Sequence, residues 1–368
     1  MYEAERDLRI QCGPSNYFSH AGSIEKIKDF FQSEEIEGAV VIAGEKAYSA
    51  AEKYINPLPI SHDNVIIFKG KCIRNEISDL SLKVQSAANI TSGSPIIGIG
   101  GGTVLDSAKA VAAGLKRKFV AIPTIVSTCS AWTPLSVWYD RTGKVESIKF
   151  YPESAYLVLV EPMILINSPL EYLRAGIGDT LAKWYESEVI CRKKSRIPFT
   201  ADTALCISKE IRDVIFRKGA SALRDAAGGI LSDDYHDIVD VVIAGGGAVG
   251  GFGERLSRVA GAHSVHNGLC ALNLCKNNIH GLKVSYGILV QLALMKDYDE
   301  LEITADFMRQ TGLPLSLKDF GVRNSDDVMK ILLDNILVPS ESIHYLPCEV
   351  SRDSLDDAIR YVDNMQMF

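Results

Sequence analysis

Short runs of apolar, often β-branched residues punctuate the first half of the chain: Gly38 to Ala43, Val65 to Phe68, Pro95 to Ile99, Phe119 to Ile122 and Tyr156 to Val160. Runs of this length, bounded by turn residues, predict strands. Between them apolar positions recur with a helical period, as at Ile24, Ile27, Phe30 and Phe31, which share one face. Strands alternating with helices predict an α/β domain built on a parallel sheet, because parallel neighbours need crossover connections. Beyond about Ser168 the segments become long and helical in period, separated by breakers at Pro198, Gly228 with Gly229, and Pro314. The expected organisation is an α/β domain over 1–168 and an all-helical domain over 169–368.

A chain of 368 residues exceeds what one core usually fills, which agrees with two domains, and 47% hydrophobic residues suffice for both. The formal net charge of -7 disfavours nucleic acid as a partner, and basic stretches such as Cys191-Arg192-Lys193-Lys194 are short. No uncharged apolar run is long enough to span a bilayer, and Glu3, Glu5, Arg6 and Asp7 stand where a signal peptide would place its apolar core. A cytoplasmic protein is expected. Eight cysteines without a CxxC pair predict reduced thiols, most of them small buried hydrophobes.

Two glycine clusters compete for a phosphate-binding role. Ile96 to Lys109 reads as a strand, a turn at Gly100-Gly101-Gly102, and a helix beginning near Thr103. Glycines allow close backbone approach, and a helix N-terminus offers unpaired N–H groups to a pyrophosphate. The bland alternative is a tight turn that binds nothing. The second cluster, Gly245, Gly247 and Gly250, satisfies G-x-G-x-x-G, but its flanks lack strand and helix alternation. It is read as close helix packing beneath a metal site. Upstream, Glu45 follows a strand end, where a carboxylate can accept from a ribose diol and disfavour a 2′-phosphate; adjacent Lys46 weakens that preference, and a solvated turn residue is the competing reading.

Three of the seven histidines, His263, His266 and His280, crowd into one region. His263 and His266 are three apart and share a helix face. Asp179 follows the glycine breaker Gly178 at an expected helix start. One carboxylate with two imidazoles suits a catalytic divalent ion that keeps open positions, whereas each histidine alone would be a satisfied core or surface residue.

The segments Gly100 to Lys109, Pro123 to Thr128, Gly176 to Asp179, His263 to Gly268 and His280-Gly281 together resemble the glycerol dehydrogenase branch of the iron-containing alcohol dehydrogenase superfamily. The resemblance runs over most of the chain. It implies an N-terminal dinucleotide-binding domain, a helical metal domain and an active site in the cleft between them. It further implies zinc held by Asp179, His263 and His280, with His266 near the nicotinamide and a candidate for proton relay. Cofactor contacts would fall on Glu45, on Gly100, Gly101, Gly102, Thr103, Val104, Leu105 and Asp106 of the turn, on Thr124, Ile125, Val126 and Ser127, and on Thr133, Leu135 and Tyr139. The cofactor is then NAD, with NADP possible, and the relatives of such enzymes are usually homo-oligomers.

Two departures bear on substrate. Cys129 stands where glycerol dehydrogenases have an aspartate that touches the polyol, and a thiol is a poor acceptor for a diol. Lys183, one turn beyond Asp179, replaces a further histidine ligand of iron-dependent relatives; a surface lysine is the competing reading, but an ammonium there can pair with a substrate carboxylate. The surroundings of Cys129 and Asp179 look closer to the hydroxycarboxylate dehydrogenase B subgroup, which points to a 2-hydroxy or 2-oxo acid over a polyol. The alternatives are a dehydroquinate synthase-like lyase using NAD and metal without net redox change, a vestigial dinucleotide-binding module, and an unrelated zinc hydrolase that would leave the Gly100 turn unexplained.

Overall fold

A computed structural model describes residues 7–365, so Glu3, Glu5 and Arg6 lie outside the described residues. The α/β unit, residues 11–169 with 229–231, contains β1 (Asn16–Ser19), α1 (Lys26–Ser33), β2 (Val40–Ala43), α2 (Glu45–Ile55), β3 (Val65–Ile67), α3 (Arg74–Gln85), β4 (Ile96–Gly100) and α4 (Gly102–Leu115). It continues through β5 (Phe119–Pro123), β6 (Leu135–Tyr139), β7 (Val145–Phe150), β8 (Leu157–Val160) and the short α5 (Pro162–Leu165). Six strands form one parallel sheet in the order β1-β8-β5-β4-β2-β3. One face packs Val41, Ala43, Ile97, Ile99, Val120 and Ile122 against Ile27, Phe30 and Phe31 of α1, the helical face expected from the sequence. On the other face α4 lies close, where a side chain on Gly98 would reach Ala108 Cβ at 3.0 Å.

The five expected strands are all present. The sheet also has β1 at its edge, a four-residue strand too short to mark itself by alternation, and β6 and β7 form a separate antiparallel hairpin. From β2 the chain builds outward to β3, and from β4 it builds the opposite way through β5 and β8. The carboxyl ends of β2 and β4 therefore meet at the topological switch point, the position where open α/β sheets bind ligands.

The other unit, residues 7–10, 170–228 and 232–365, is helical: α6 (Leu170–Arg192), α7 (Phe199–Ala227), α8 (Asp233–Asp240), a π-turn at Val241–Gly245, α9 (Gly246–Gly253), α10 (Gly261–Cys270), α11 (His280–Leu294), α12 (Tyr298–Thr311), α13 (Asp326–Ile336) and α14 (Arg352–Asn364). The second glycine cluster is helical, as read. Its neighbours, however, are not those of a metal site: a side chain on Gly245 would meet Ile211 of α7 at 3.2 Å, and one on Gly250 would meet Arg258 at 3.6 Å. Gly245 thus lets the π-turn seat on α7, and Gly250 leaves room for Arg258.

Asp179 also departs from expectation, because it lies in the middle of α6 and not at a helix start. Gly178 is an interior glycine whose missing side chain admits α11: a Cβ there would stand 2.8 Å from Ser285 Cβ and 3.0 Å from Gly281 O. Gly281 reciprocates, with Ala175 O only 2.0 Å from where its Cβ would be. Small residues on both helices bring the backbones together, at the cost of helix propensity. Of the eight thiols, Cys72, Cys191 and Cys275 are buried, while Cys12 and Cys206 are exposed, so fewer are core residues than the sequence suggested. No helix among the described residues is long and apolar enough to cross a membrane.

Candidate active site

In the α/β unit, β4 ends at Gly100 and α4 starts at Gly102, so the turn sits at the switch point beside the end of β2. A side chain on Gly100 would reach Val104 Cβ at 2.7 Å, and one on Gly101 would run into Ile125 Cδ1 at 2.6 Å. Val104 and Leu105 both donate their N–H to Gly101 O, at 3.0 Å each. The amides of Gly102 and Thr103 come before the first such bond and lie at the positive end of the helix dipole, where an anion is favoured. Glu45 opens α2 beside this turn, with its exposed carboxylate 2.8 Å from Lys69 Nζ. That pairing reduces the bias against a 2′-phosphate that a lone carboxylate would give.

Leu105 is buried in the core, so it can meet a ligand only through its main chain. The Asp106 carboxylate is engaged within the protein: Oδ1 accepts from Ser130 Oγ at 2.7 Å and Oδ2 from Val137 N at 2.9 Å. Beneath it the buried Lys109 Nζ lies 3.3 Å from Asp106 Oδ1 and donates to Ser130 O at 2.8 Å and Leu135 O at 2.6 Å. Burial pushes the Lys109 ammonium below its usual range, and the neighbouring Asp106 opposes that. This buried pair anchors the segment from Thr124 to Leu135. Thr124 continues β5 by donating to Gly100 O at 3.2 Å, Ile125 closes over Gly101, and Val126 and Ser127 are buried behind. Half-buried Cys129 turns the segment, its carbonyl accepting from Trp132 N at 3.0 Å and Thr133 N at 3.2 Å. Tyr139 ends β6 and donates its N–H to Cys72 O at 2.9 Å.

In the helical unit, Asp179, His263 and His280 converge, with one ligand atom from each lying within 4.8 Å of the others. His263 is in the first turn of α10 and His280 opens α11. Asp179 Oδ1 is 3.3 Å from His280 Nε2 and 3.7 Å from His263 Nε2, yet it is buried without a hydrogen-bond donor. Burial opposes ionisation of Asp179, but the positive potential of His280, with Lys183 and His263, outweighs it and holds the carboxyl well below the usual carboxylate range. A buried acceptor lacking a donor costs about 1–3 kcal/mol. Ligand atoms about 2.0–2.1 Å from a tetrahedral zinc stand about 3.3 Å apart, so the donor set and its spacing fit a divalent ion.

Each imidazole is held from behind. Glu186, fully buried and two turns beyond Asp179 on α6, accepts from His263 Nδ1 at 2.6 Å, from His263 N at 3.0 Å and from Ala260 N at 2.6 Å. It was not singled out in the sequence; its spacing of seven from Asp179 places both carboxylates on one helix face, which was the available signal. Gln291 Oε1 adds acceptors for Gly261 N and Ala262 N, so the whole start of α10 is tied down. His266 is buried, and burial holds it well below the usual imidazole range, helped by His280, His263 and Lys283. Its Nδ1 is 3.0 Å from Asn267 Oδ1 and its Nε2 is 2.9 Å from His280 Nδ1. With both ring nitrogens engaged, it is placed to hold His280. Lys183 is half-buried one turn beyond Asp179, near enough to bias that carboxylate.

Residues 14–162 match the family model described as iron-containing alcohol dehydrogenase. The chain is 41% identical over 362 residues to hydroxycarboxylate dehydrogenase A of Escherichia coli (strain K12), covering 98% of both chains. It is 32% identical over 324 residues to the glycerol dehydrogenase of Citrobacter freundii, covering 85% of this chain and 86% of that one. Among solved structures, the glycerol dehydrogenase from Schizosaccharomyces pombe superposes with a TM-score of 0.86 at 25% identity, over 98% of this chain and 91% of that one. A glycine turn at the switch point, a carboxylate and two imidazoles facing one focus, and likeness along almost the whole length thus agree: the chain belongs to the iron-containing alcohol dehydrogenase family and is a metal-dependent, NAD-linked oxidoreductase of the glycerol dehydrogenase type, acting on CH–OH groups.

Proposed function

We propose that the chain moves a hydride between NAD and a small 2-hydroxy or 2-oxo acid, with zinc as the divalent ion held by Asp179, His263 and His280. The observation that carries the ion site is the buried, donorless Asp179 Oδ1 facing two Nε2 atoms. A divalent ion there supplies Lewis acidity to the oxygen of the reacting carbinol or carbonyl. The protein's part is to bind and orient. Glu186 takes the Nδ1 proton of His263 as a hydrogen bond and leaves Nε2 as the ligand, the usual arrangement behind a metal-bound imidazole. His266 does the corresponding service for His280. The first-turn amides of Gly102 and Thr103 receive the pyrophosphate, and Glu45 with the 124–139 segment completes the dinucleotide contacts.

Three features support an acid substrate. Lys183 places a cation beside the ligand cluster, where it can pair with a carboxylate. Cys129 offers a poor acceptor to a diol. The Escherichia coli relative is named for hydroxycarboxylates, the class that the B-subgroup resemblance also indicates. Reading the substrate as a polyol would leave Lys183 without a task, and a lyase is not favoured because the relatives are oxidoreductases. Steady-state rates with 2-oxobutyrate and NADH, against glycerol and NAD, test the assignment, alongside metal analysis and a repeat with NADPH. A large preference for glycerol would defeat it.

A further inference from the structure

Behind His280 runs a chain of hydrogen bonds whose direction can be worked out from its outer end. Asn267 Nδ2 lies 3.0 and 3.1 Å from the two carboxylate oxygens of Glu341. A carboxylate only accepts, so the amide must present its NH₂ to Glu341 and its oxygen to His266. Asn267 Oδ1, 3.0 Å from His266 Nδ1, also only accepts, so Nδ1 carries the proton. In the neutral ring Nε2 is then an acceptor, and it meets His280 Nδ1 at 2.9 Å, which must donate. Cys270 Sγ approaches the same Nε2 at 3.4 Å, and its sulfur in turn receives Lys283 Nζ at 3.0 Å, so the polarity agrees on that side too. The neutral form of His280, the one that can bind a metal, then has its lone pair on Nε2, the nitrogen 3.3 Å from Asp179 Oδ1.

We propose that Glu341, Asn267 and His266 are positioning residues that fix the tautomer and orientation of His280 and thereby set the protein's affinity for its divalent ion. The inference rests on the reading of Asp179, His263 and His280 as the ligands. Glu341 and Asn267 lie 74 residues apart in the chain, and neither is among the residues whose ligand atoms converge on the ion site. Their influence passes through bond direction alone, which distinguishes it from simple packing.

The test uses Zn²⁺ as the probe and two readouts that need no turnover. Apo protein is titrated with Zn²⁺ against a chromophoric chelator, and ¹⁵N-histidine spectra report which ring nitrogen of His266 is protonated. In the unaltered protein one Zn²⁺ binds and His266 is the Nδ1–H form. Asn267→Ala should weaken Zn²⁺ by about tenfold, the lower end of the range for groups behind a ligand. Glu341→Gln can turn its amide oxygen toward Asn267 and should bind within about twofold of the original protein. Glu341→Lys presents only donors, so the Asn267 amide should turn over and His266 should change to the Nε2–H form. Both positions are at or near the surface, and circular dichroism of each variant confirms that it is folded. Unchanged Zn²⁺ affinity in Asn267→Ala together with an unchanged tautomer in Glu341→Lys overturns the inference. Unaltered protein that binds no Zn²⁺ would instead remove the ligand set itself, and the inference with it.

Discussion

The close crossing of α6 and α11 makes Gly281→Ala the sharpest test of how the fold holds its ligands. The added Cβ would stand 2.0 Å from Ala175 O and 3.0 Å from Asp179 Cβ. Carbon and carbonyl oxygen approach to about 3.3 Å even in the favourable contacts of packed backbones, so the helices must separate by about 1 Å. The obstructing atom is main chain and cannot swing aside. His280 is the preceding residue, and a metal site tolerates about 0.2 Å in its ligand distances, so the displacement pulls the imidazole out of range. Overpacking of this kind costs about 1–3 kcal/mol, and the upper end applies because backbone meets backbone. A loss of about 3 kcal/mol in a unit of this size lowers Tm by about 6–12 °C. Thermal unfolding of the apo protein reads the first effect, and Zn²⁺ competition reads the second, expected as a loss of at least about tenfold. Gly114→Ala is the control: nothing lies within 4 Å of its Cβ position near the end of α4, and it should gain about 0.5–1 kcal/mol from helix propensity. If Gly281→Ala melts and binds Zn²⁺ like the original protein, the crossing does not govern the site.

Glu186→Gln should be more damaging than its small change in shape suggests. One amide oxygen can still serve Ala260 N and His263 N, but the NH₂ then faces His263 Nδ1 and forces the proton onto Nε2; Zn²⁺ affinity should fall about 10–100-fold, and an unchanged affinity would refute the role. Lys183→Met should raise KM for 2-oxobutyrate by at least about tenfold while leaving a neutral carbonyl substrate within about twofold, since one charge-assisted pair contributes about 1.5–3 kcal/mol; equal losses on both substrates would assign Lys183 to the ion site instead. Burial, with Asp106 nearby, pushes the Cys72 thiol up to about 12, so at pH 8 its thiolate fraction is on the order of one in ten thousand. Maleimide should therefore label Cys12 and Cys206 in the native protein and reach Cys72 only on unfolding, and early labelling of Cys72 by mass spectrometry would contradict the burial.

The parallel sheet could be read from the chain because its central strands are buried on both faces and therefore appear as unbroken apolar runs, Val40 to Ala43 and Ile96 to Ile99 among them. The β6–β7 hairpin leaves no such run, because β7 is largely exposed and β6 is buried only at alternate positions. Gly178 misled for a physical reason. A glycine that ends a helix and a glycine that admits a neighbouring helix look alike until the partner is known, and here the partner, Gly281, lies more than a hundred residues away. The convergence of Asp179, His263 and His280 was anticipated from residue types and resemblance, whereas Glu186 offers only its spacing of seven from Asp179, and its partner His263 lies 77 residues away. Buried carboxylates behind ligands are legible only once α6, α10 and α11 have been placed.

The ammonium of Lys109 grips two carbonyl oxygens, Ser130 O and Leu135 O, while Asp106 takes Ser130 Oγ and Val137 N. The segment's anchorage thus runs largely through main-chain atoms and one serine. Laboratory substitution at position 129 therefore starts beside a main chain already tied at Ser130 and Leu135, which makes the segment a natural place to evolve new substrate preferences within a single scaffold.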